Sequence, residues 1–261
     1  MTAKRISPGR RSPDPAAELR LCDRKAEHIS NGTGTAPAPM RPEPAVRERI
    51  MAKLYFKFGA MGSSKTAQAL MTKFNYEEKS HSVWLIKPAT DTRDDRRDTD
   101  GNVHTILRSR VGLFADAEAV GGDVDLYAEF LRRGRGEKYT DVVICDECQF
   151  LTGEQVEQLK DLTDKQDIPV LCFGLRADFQ TRLFPGSKRL FEIADSITEI
   201  KSICRCGRKA TVNARFDENG RIVYEGQQVL IGGNDRYEGM CYNCYRTLIE
   251  EKQREDAASR P

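Results

Sequence analysis

No stretch of this 261-residue chain approaches 18 consecutive apolar residues, so a membrane-spanning helix is not expected. The N-terminus carries Arg and Pro but lacks the apolar segment of a secretory leader, which points to a cytoplasmic protein with no membrane partner. No internal repeat is visible. A strong charge of either sign is missing too. The formal net charge is +2, with 42 Lys and Arg against 40 Asp and Glu. Residues 1–50 hold ten basic and six acidic side chains, and the remaining 32 basic and 34 acidic side chains leave a balance of −2. The body of the chain therefore has no electrostatic footprint for nucleic acid.

Proline is scarce beyond residue 50, because seven of the eleven prolines precede it. With the stretch "NGTGTAPAPMRPEPA", this composition predicts a disordered extension over 1–50, broken at most by a short helix around Pro15–His28. Met51 opens "MAKLYFKFGAMGSSKT" and looks like a natural start. Residues 1–50 are thus either an unstructured tail or lie upstream of the true initiation site.

From residue 53 onward the pattern alternates strand, loop and helix. "KLYFKF" (53–58) reads as a strand. Lys65–Lys79 reads as a helix with Ala67, Leu70, Met71 and Phe74 on one side. "VWLIKP" (83–88) is a second strand, 91–112 a long polar loop, and Asp123–Arg133 a helix. "DVVICDE" (141–147) and "PVLCFGL" (169–175) are apolar and β-branched, as in strands covered on both faces. Between them Thr152–Gln166 is helical, with Thr152 and Gln155 spaced for a capping box. Ser187–Asp195 is a short helix and "SITEIKSI" (196–203) a further strand. This order implies an α/β fold with a mostly parallel sheet and helices on both faces. A core over 51–200 is followed by a turn-rich subdomain over 201–248. There "DENGR" (217–221) marks a hairpin between "ATVNARF" and "IVYEGQQVLI". The polar residues 249–261 are expected to fray.

Three constellations carry chemistry. Gly59, Ala60, Met61, Gly62, Ser63, Ser64, Lys65 and Thr66 lie between a strand and a helix, the context of a phosphate-binding loop. Backbone N–H groups and the helix dipole would cradle phosphates there. Lys65 would neutralise them and Thr66 would place a hydroxyl on Mg²⁺. Ser64 stands where the pattern asks for Gly, although Ser enters the positive-φ region less freely. Asp146 and Glu147 end a buried strand, where one carboxylate can hold Mg²⁺ and its neighbour can act as a base. Cys145, Cys148 and Cys172 sit in apolar runs as buried thiols do. Cys204, Cys206, Cys241 and Cys244 form two close pairs that read as a closed structural zinc site stapling a lobe too small for its own core.

Taken together, "GAMGSSKT", "DTR" (91–93), "DECQF" (146–150), "GLRADF" (174–179), "LFPGS" (183–187), "ICRCGRKA" (203–210) and "IGGNDRYEGMC" (231–241) resemble the type II thymidine kinases over roughly residues 53–246. The C-x-C first pair is like the enterobacterial branch. The resemblance implies a RecA-like P-loop core with a zinc-anchored lasso closing over the nucleoside. It implies that ATP with Mg²⁺ phosphorylates the 5′-hydroxyl of thymidine, and deoxyuridine more weakly. Glu147 then corresponds to the general base and Asp146 to the Mg²⁺-associated carboxylate. Asp91, Arg93 and Gln149 join the P-loop on the ATP and metal side. Met61, Phe150, Leu175, Phe179, Phe184 and Tyr237 line the thymine pocket, with lasso backbone groups within about Gln228–Tyr237 reading the base. A homotetramer and feedback inhibition by thymidine triphosphate are implied as well. Arg176, just after a strand, is a candidate for the phosphate-stabilising arginine. The segment "RDDRRDTDGNVH" (93–104) is longer and more charged than the family pattern, and residues 1–50 have no counterpart in it. The competing reading is a P-loop ATPase switch with a zinc-stabilised interaction module. That reading leaves "GLRADF" and "IGGNDRY" without a role.

Overall fold

The computed structural model describes residues 51–92, 95–97, 103–134, 139–228 and 237–258. The expectations for residues 1–50 lie outside these. In chain order the elements are β1 (Leu54–Phe58), α1 (Lys65–Glu77), β2 (Val83–Pro88), β3 (Arg96–Arg97), β4 (Val103–His104), β5 (Ile106–Arg108), β6 (Phe114–Asp116) and β7 (Glu118–Val120). Then come α2 (Leu126–Gly134), β8 (Val142–Cys145), a 3-10 turn over Cys148–Phe150, α3 (Gly153–Gln166), β9 (Val170–Gly174), α4 (Pro185–Ile193) and β10 (Ser196–Glu199). The C-terminal lobe adds β11 (Ser202–Ile203), β12 (Lys209–Ala210), β13 (Val212–Phe216), β14 (Ile222–Val223), β15 (Tyr237–Met240) and α5 (Tyr242–Ala258).

Six strands form the central sheet in the order β10-β1-β9-β8-β2-β7, and every pairing in it is parallel. Alternation along each strand sends side chains to two cores. Leu54 and Phe56, Val143 and Cys145, and Val170 and Cys172 face Val156, Leu159 and Leu162 of α3 and Leu190 of α4. Their neighbours Val142, Ile144, Leu171 and Phe173 face Ala69 and Leu70 of α1. Both faces of β8 and β9 are covered, which is why their sequences run apolar without a break. The predicted capping box of α3 is made: Gln155 N donates to Thr152 Oγ1 at 3.1 Å and Thr152 N donates to Gln155 Oε1 at 3.2 Å.

Several expectations are corrected. The polar loop of 91–112 contains strand pairs β3–β4 and β5–β6, the latter reaching to Asp116, and β7 follows as a sixth strand on the sheet edge. The helix expected from Asp123 begins at Leu126. The helix expected over 187–195 spans Pro185–Ile193, with Pro in its first turn where no N–H partner is needed. The strand expected over 196–203 divides into β10 and β11. The expected fraying tail is helical through Ala258. It is sustained by the i,i+4 pair Arg246–Glu250 at 2.8 Å and by Tyr245, Leu248 and Ile249 packing on β13 and Met240.

Candidate functional site

Parallel order brings the C-terminal ends of β1 and β8 to one edge of the sheet, with β9 between them. The loop after β1 and the carboxylates after β8 therefore share a cleft, as ligand sites at such edges do. Its walls include Met61 through Ala67, Asp91, Asp146 and Glu147.

The phosphate-binding loop folds through two left-handed residues, Gly62 (φ 76°) and Ser64 (φ 61°). Ser64 is the N-cap of α1 and makes no side-chain capping bond. The strain that the missing glycine predicts is thus present in the backbone. Lys65 is buried, and its Nζ donates to Gly59 O at 3.2 Å and to Ala60 O at 3.0 Å. Thr66 Oγ1 donates to Asp146 Oδ2 at 2.7 Å. The other oxygen, Asp146 Oδ1, is buried and has no hydrogen-bond partner among the described residues. Burial first, and the adjacent Glu147 second, push the Asp146 carboxyl up to about 7, against the pull of the Thr66 hydroxyl and Lys65. A buried, half-satisfied carboxylate beside a threonine hydroxyl suits a hard divalent cation, which takes oxygen donors. Asp91, also buried, lies 3.8 Å from Lys87 Nζ at the end of β2. Lys87 is fully buried and pairs with Asp95 at 3.0 Å.

Glu147 takes the left-handed conformation (φ 51°) and opens the 3-10 turn. Its Oε2 accepts from Gln149 Nε2 at 2.6 Å, while Gln149 Oε1 accepts from Leu175 N at 2.9 Å. Gln149, expected on the ATP side, stands one residue back from the cleft. It is buried behind Glu147 and absent from the cleft walls. Arg176 also departs from expectation, since its Nη2 donates to Thr211 O at 2.8 Å and it does not line the cleft. Arg108 and Arg110, carried by the β5–β6 hairpin, do line it. Sequence reading missed both, although the apolar pair Ile106-Leu107 ahead of "RSRVG" was a signal for a strand and turn. Arg93 lies outside the described residues.

Of the six residues expected on the nucleoside, Met61 lines this cleft and the other five do not. Phe150 and Phe184 meet edge to face at 5.6 Å, and Leu175 is linked to Glu147 through Gln149. Phe179 is fully buried under the Arg215 guanidinium, 3.9 Å from its ring centre. Tyr237 is the cross-strand partner of Arg215. Arg215 also donates to Gln227 O at 2.8 Å, and Gln228 Nε2 to Asp178 Oδ2 at 2.9 Å. Residues 229–236 of the expected lasso lie outside the described residues.

In the C-terminal lobe the sulfurs of Cys204, Cys206, Cys241 and Cys244 all lie within 4.8 Å of one another. The Cys206–Cys241 separation is 3.6 Å. Four thiolates about 2.3 Å from a tetrahedral zinc are roughly 3.8 Å apart, so the Cys206–Cys241 separation and the convergence of all four sulfurs are compatible with a tetrahedral zinc site. The Cys244 N–H, 3.4 Å from Cys241 Sγ, favours the Cys241 thiolate.

The family model described as "Thymidine kinase" matches residues 52–245. A "Thymidine kinase" of Legionella pneumophila (strain Lens) is 46% identical over 197 residues, covering 75% of this chain and 90% of its own. One from Vibrio vulnificus (strain CMCP6) is 44% identical over 199 residues, covering 76% and 99%. Another, from Shewanella oneidensis, is 41% identical over 199 residues with the same coverage.

Ser64→Gly is expected to leave folding stability unchanged or raise it by up to about 1 kcal/mol, since relief of the left-handed strain offsets the extra unfolded-state entropy. A loss of more than about 1 kcal/mol in urea denaturation would contradict the reading of Ser64 as strained and uncapped.

Proposed function

The chain belongs to the thymidine kinase family, and on that premise we propose how its residues divide the transfer of the ATP γ-phosphate to the 5′-hydroxyl of thymidine. The observation that carries the assignment is the meeting of Thr66 and Asp146 at 2.7 Å, with Glu147 beside them in the same cleft. The loop 59–66 binds the triphosphate through its N–H groups, and Lys65 moves from the loop's own carbonyls to phosphate oxygens. Thr66 and Asp146, with Asp91 in the wall of the same cleft, would hold Mg²⁺. When bound, the ion neutralises charge on the β- and γ-phosphates. Arg108 and Arg110, rather than Arg176, add positive charge on the open side of the cleft.

Glu147 accepts the 5′-hydroxyl proton. Its left-handed backbone and its bond to Gln149 fix where the carboxylate points, and proton transfer by a positioned base is worth about 10²–10⁴-fold in rate. The same glutamine reaches Leu175, so the base and one wall of the nucleoside site are aligned by one side chain. Phe150, Phe184, Leu175 and Met61 supply flat and aliphatic walls for a pyrimidine. A single methyl is worth roughly 1–3 kcal/mol, which leaves deoxyuridine a weaker substrate. Zinc held by the four cysteines staples the lobe that carries Tyr237 and the base-reading segment. Assembly as a homotetramer, inhibition by thymidine triphosphate and a cytoplasmic location complete the proposal. No described helix is long and apolar enough to cross a membrane. The family match removes the support for a switch ATPase.

Glu147→Gln is expected to lower kcat by at least about 10²-fold while thymidine binding, measured by equilibrium dialysis, is retained. Turnover within about tenfold of wild type would remove Glu147 as the base. By elemental analysis the wild type is expected to carry one zinc per chain, and Cys241→Ser to lose it together with several degrees of melting temperature. A zinc-free, fully active wild type would reject the metal site.

A further inference from the structure

Asn213 lies on β13, inside the cysteine-bearing lobe, and is 4% exposed. Asparagine is disfavoured in strands, and burying an amide costs free energy unless both of its ends are bonded. Both are. Oδ1 accepts from Met61 N at 2.8 Å, and Nδ2 donates to Ala177 O at 2.7 Å. Met61 belongs to the phosphate-binding loop, 152 residues away in sequence, and Ala177 to the segment after β9.

The cross-strand partner of Asn213 is Gly239 on β15. A methyl group built on Gly239 would sit 2.5 Å from Met61 O and 3.3 Å from Ala60 Cβ. Two register partners on neighbouring strands of the lobe therefore engage one loop residue, one at its N–H and the other against its carbonyl. The absence of a side chain at Gly239 is what permits the approach.

We propose that Asn213 is a positioning residue for ATP, holding the first half of the phosphate-binding loop in its binding shape from the C-terminal lobe. The lobe then sets phosphate-donor affinity as well as covering the nucleoside. Asn213 touches no reacting atom. It acts through Met61, whose fixed peptide sets the entry into the left-handed turn at Gly62–Ser64. The proposal rests on the reading of residues 59–66 as the ATP site.

The test measures binding of a non-hydrolysable ATP analogue with Mg²⁺, without thymidine, to the full zinc-loaded chain. Asn213→Leu keeps similar volume and removes both hydrogen bonds. Gly239→Ala leaves Asn213 intact and pushes on Met61 O from the other strand. Each variant is expected to weaken analogue binding at least fivefold and to raise KM for ATP by a similar factor, with zinc content unchanged. Gly239→Ala alone decides the matter if Asn213→Leu does not fold. A purely structural role predicts a lower melting temperature with unchanged analogue affinity in the folded fraction, and that result overturns the inference. Wild type that binds no analogue would overturn the ATP-site reading along with it, whereas wild-type affinity retained in both variants overturns this inference alone.

Discussion

The 2.7 Å hydrogen bond from Thr66 to Asp146 joins residues 80 positions apart, and the site depends on it. It can form only if β1 and β8 run parallel and end at the same edge of one sheet. Continuous apolar sequence in β8 and β9 forces both faces of the sheet under helices, and a parallel sheet needs that cover. The helices that provide it, α1 and α3, begin at that same edge, just after the phosphate-binding loop and the 3-10 turn. One packing constraint thereby positions a helix N-terminus, a lysine, a hydroxyl and two carboxylates.

The arrangement is held against local preference. Ser64 and Glu147 both occupy left-handed backbone, a conformation costing roughly 1–2 kcal/mol for a side-chain-bearing residue, and Asp146 keeps a buried oxygen without a partner among the described residues. Strain of this sort persists where surrounding contacts over-determine it. Here Gln149 grips Glu147 from behind, and the β13–β15 pair grips Met61 from the side. In the C-terminal lobe the four converging thiols sit beside a small buried cluster of Val212, Ala214, Ile222 and Met240, and Tyr245 ties that cluster to the core by donating its hydroxyl to Phe179 O at 2.5 Å. Contacts with the core run through Met61 of the phosphate-binding loop and through Ala177, Asp178 and Phe179 after β9.

Much of this was legible in the sequence. Apolar runs marked β8 and β9, Thr152 and Gln155 marked the start of α3, and the spacing of Gly59–Thr66 and Asp146-Glu147 marked the cleft. The four cysteines were recognisable as a set before their sulfurs were seen to converge. What could not be read depends on direction and on non-local cover. β7 is three residues long with Glu118 at its start, so it carries too little pattern to announce itself, and its partner β2 defines it. Arg108 and Arg110 reach the cleft only because a hairpin folds over α1. Gln149 belongs to a functional motif, yet which way its amide points is decided by Leu175 N just after β9. Residues 249–261 look like a polar tail because Tyr245 is the buried residue of α5, and the helix is carried on by Leu248 and Ile249 against the lobe and by i,i+4 charge pairs.

The most direct test is transfer of labelled γ-phosphate from ATP with Mg²⁺ to each of the four deoxynucleosides, beside a control without nucleoside. Label on thymidine, with little on the purines, is the predicted result and supports both the reaction and the pyrimidine-sized site. Release of labelled phosphate with no labelled nucleoside would contradict it, because the cleft would then hydrolyse ATP without the acceptor that Glu147 is positioned to activate.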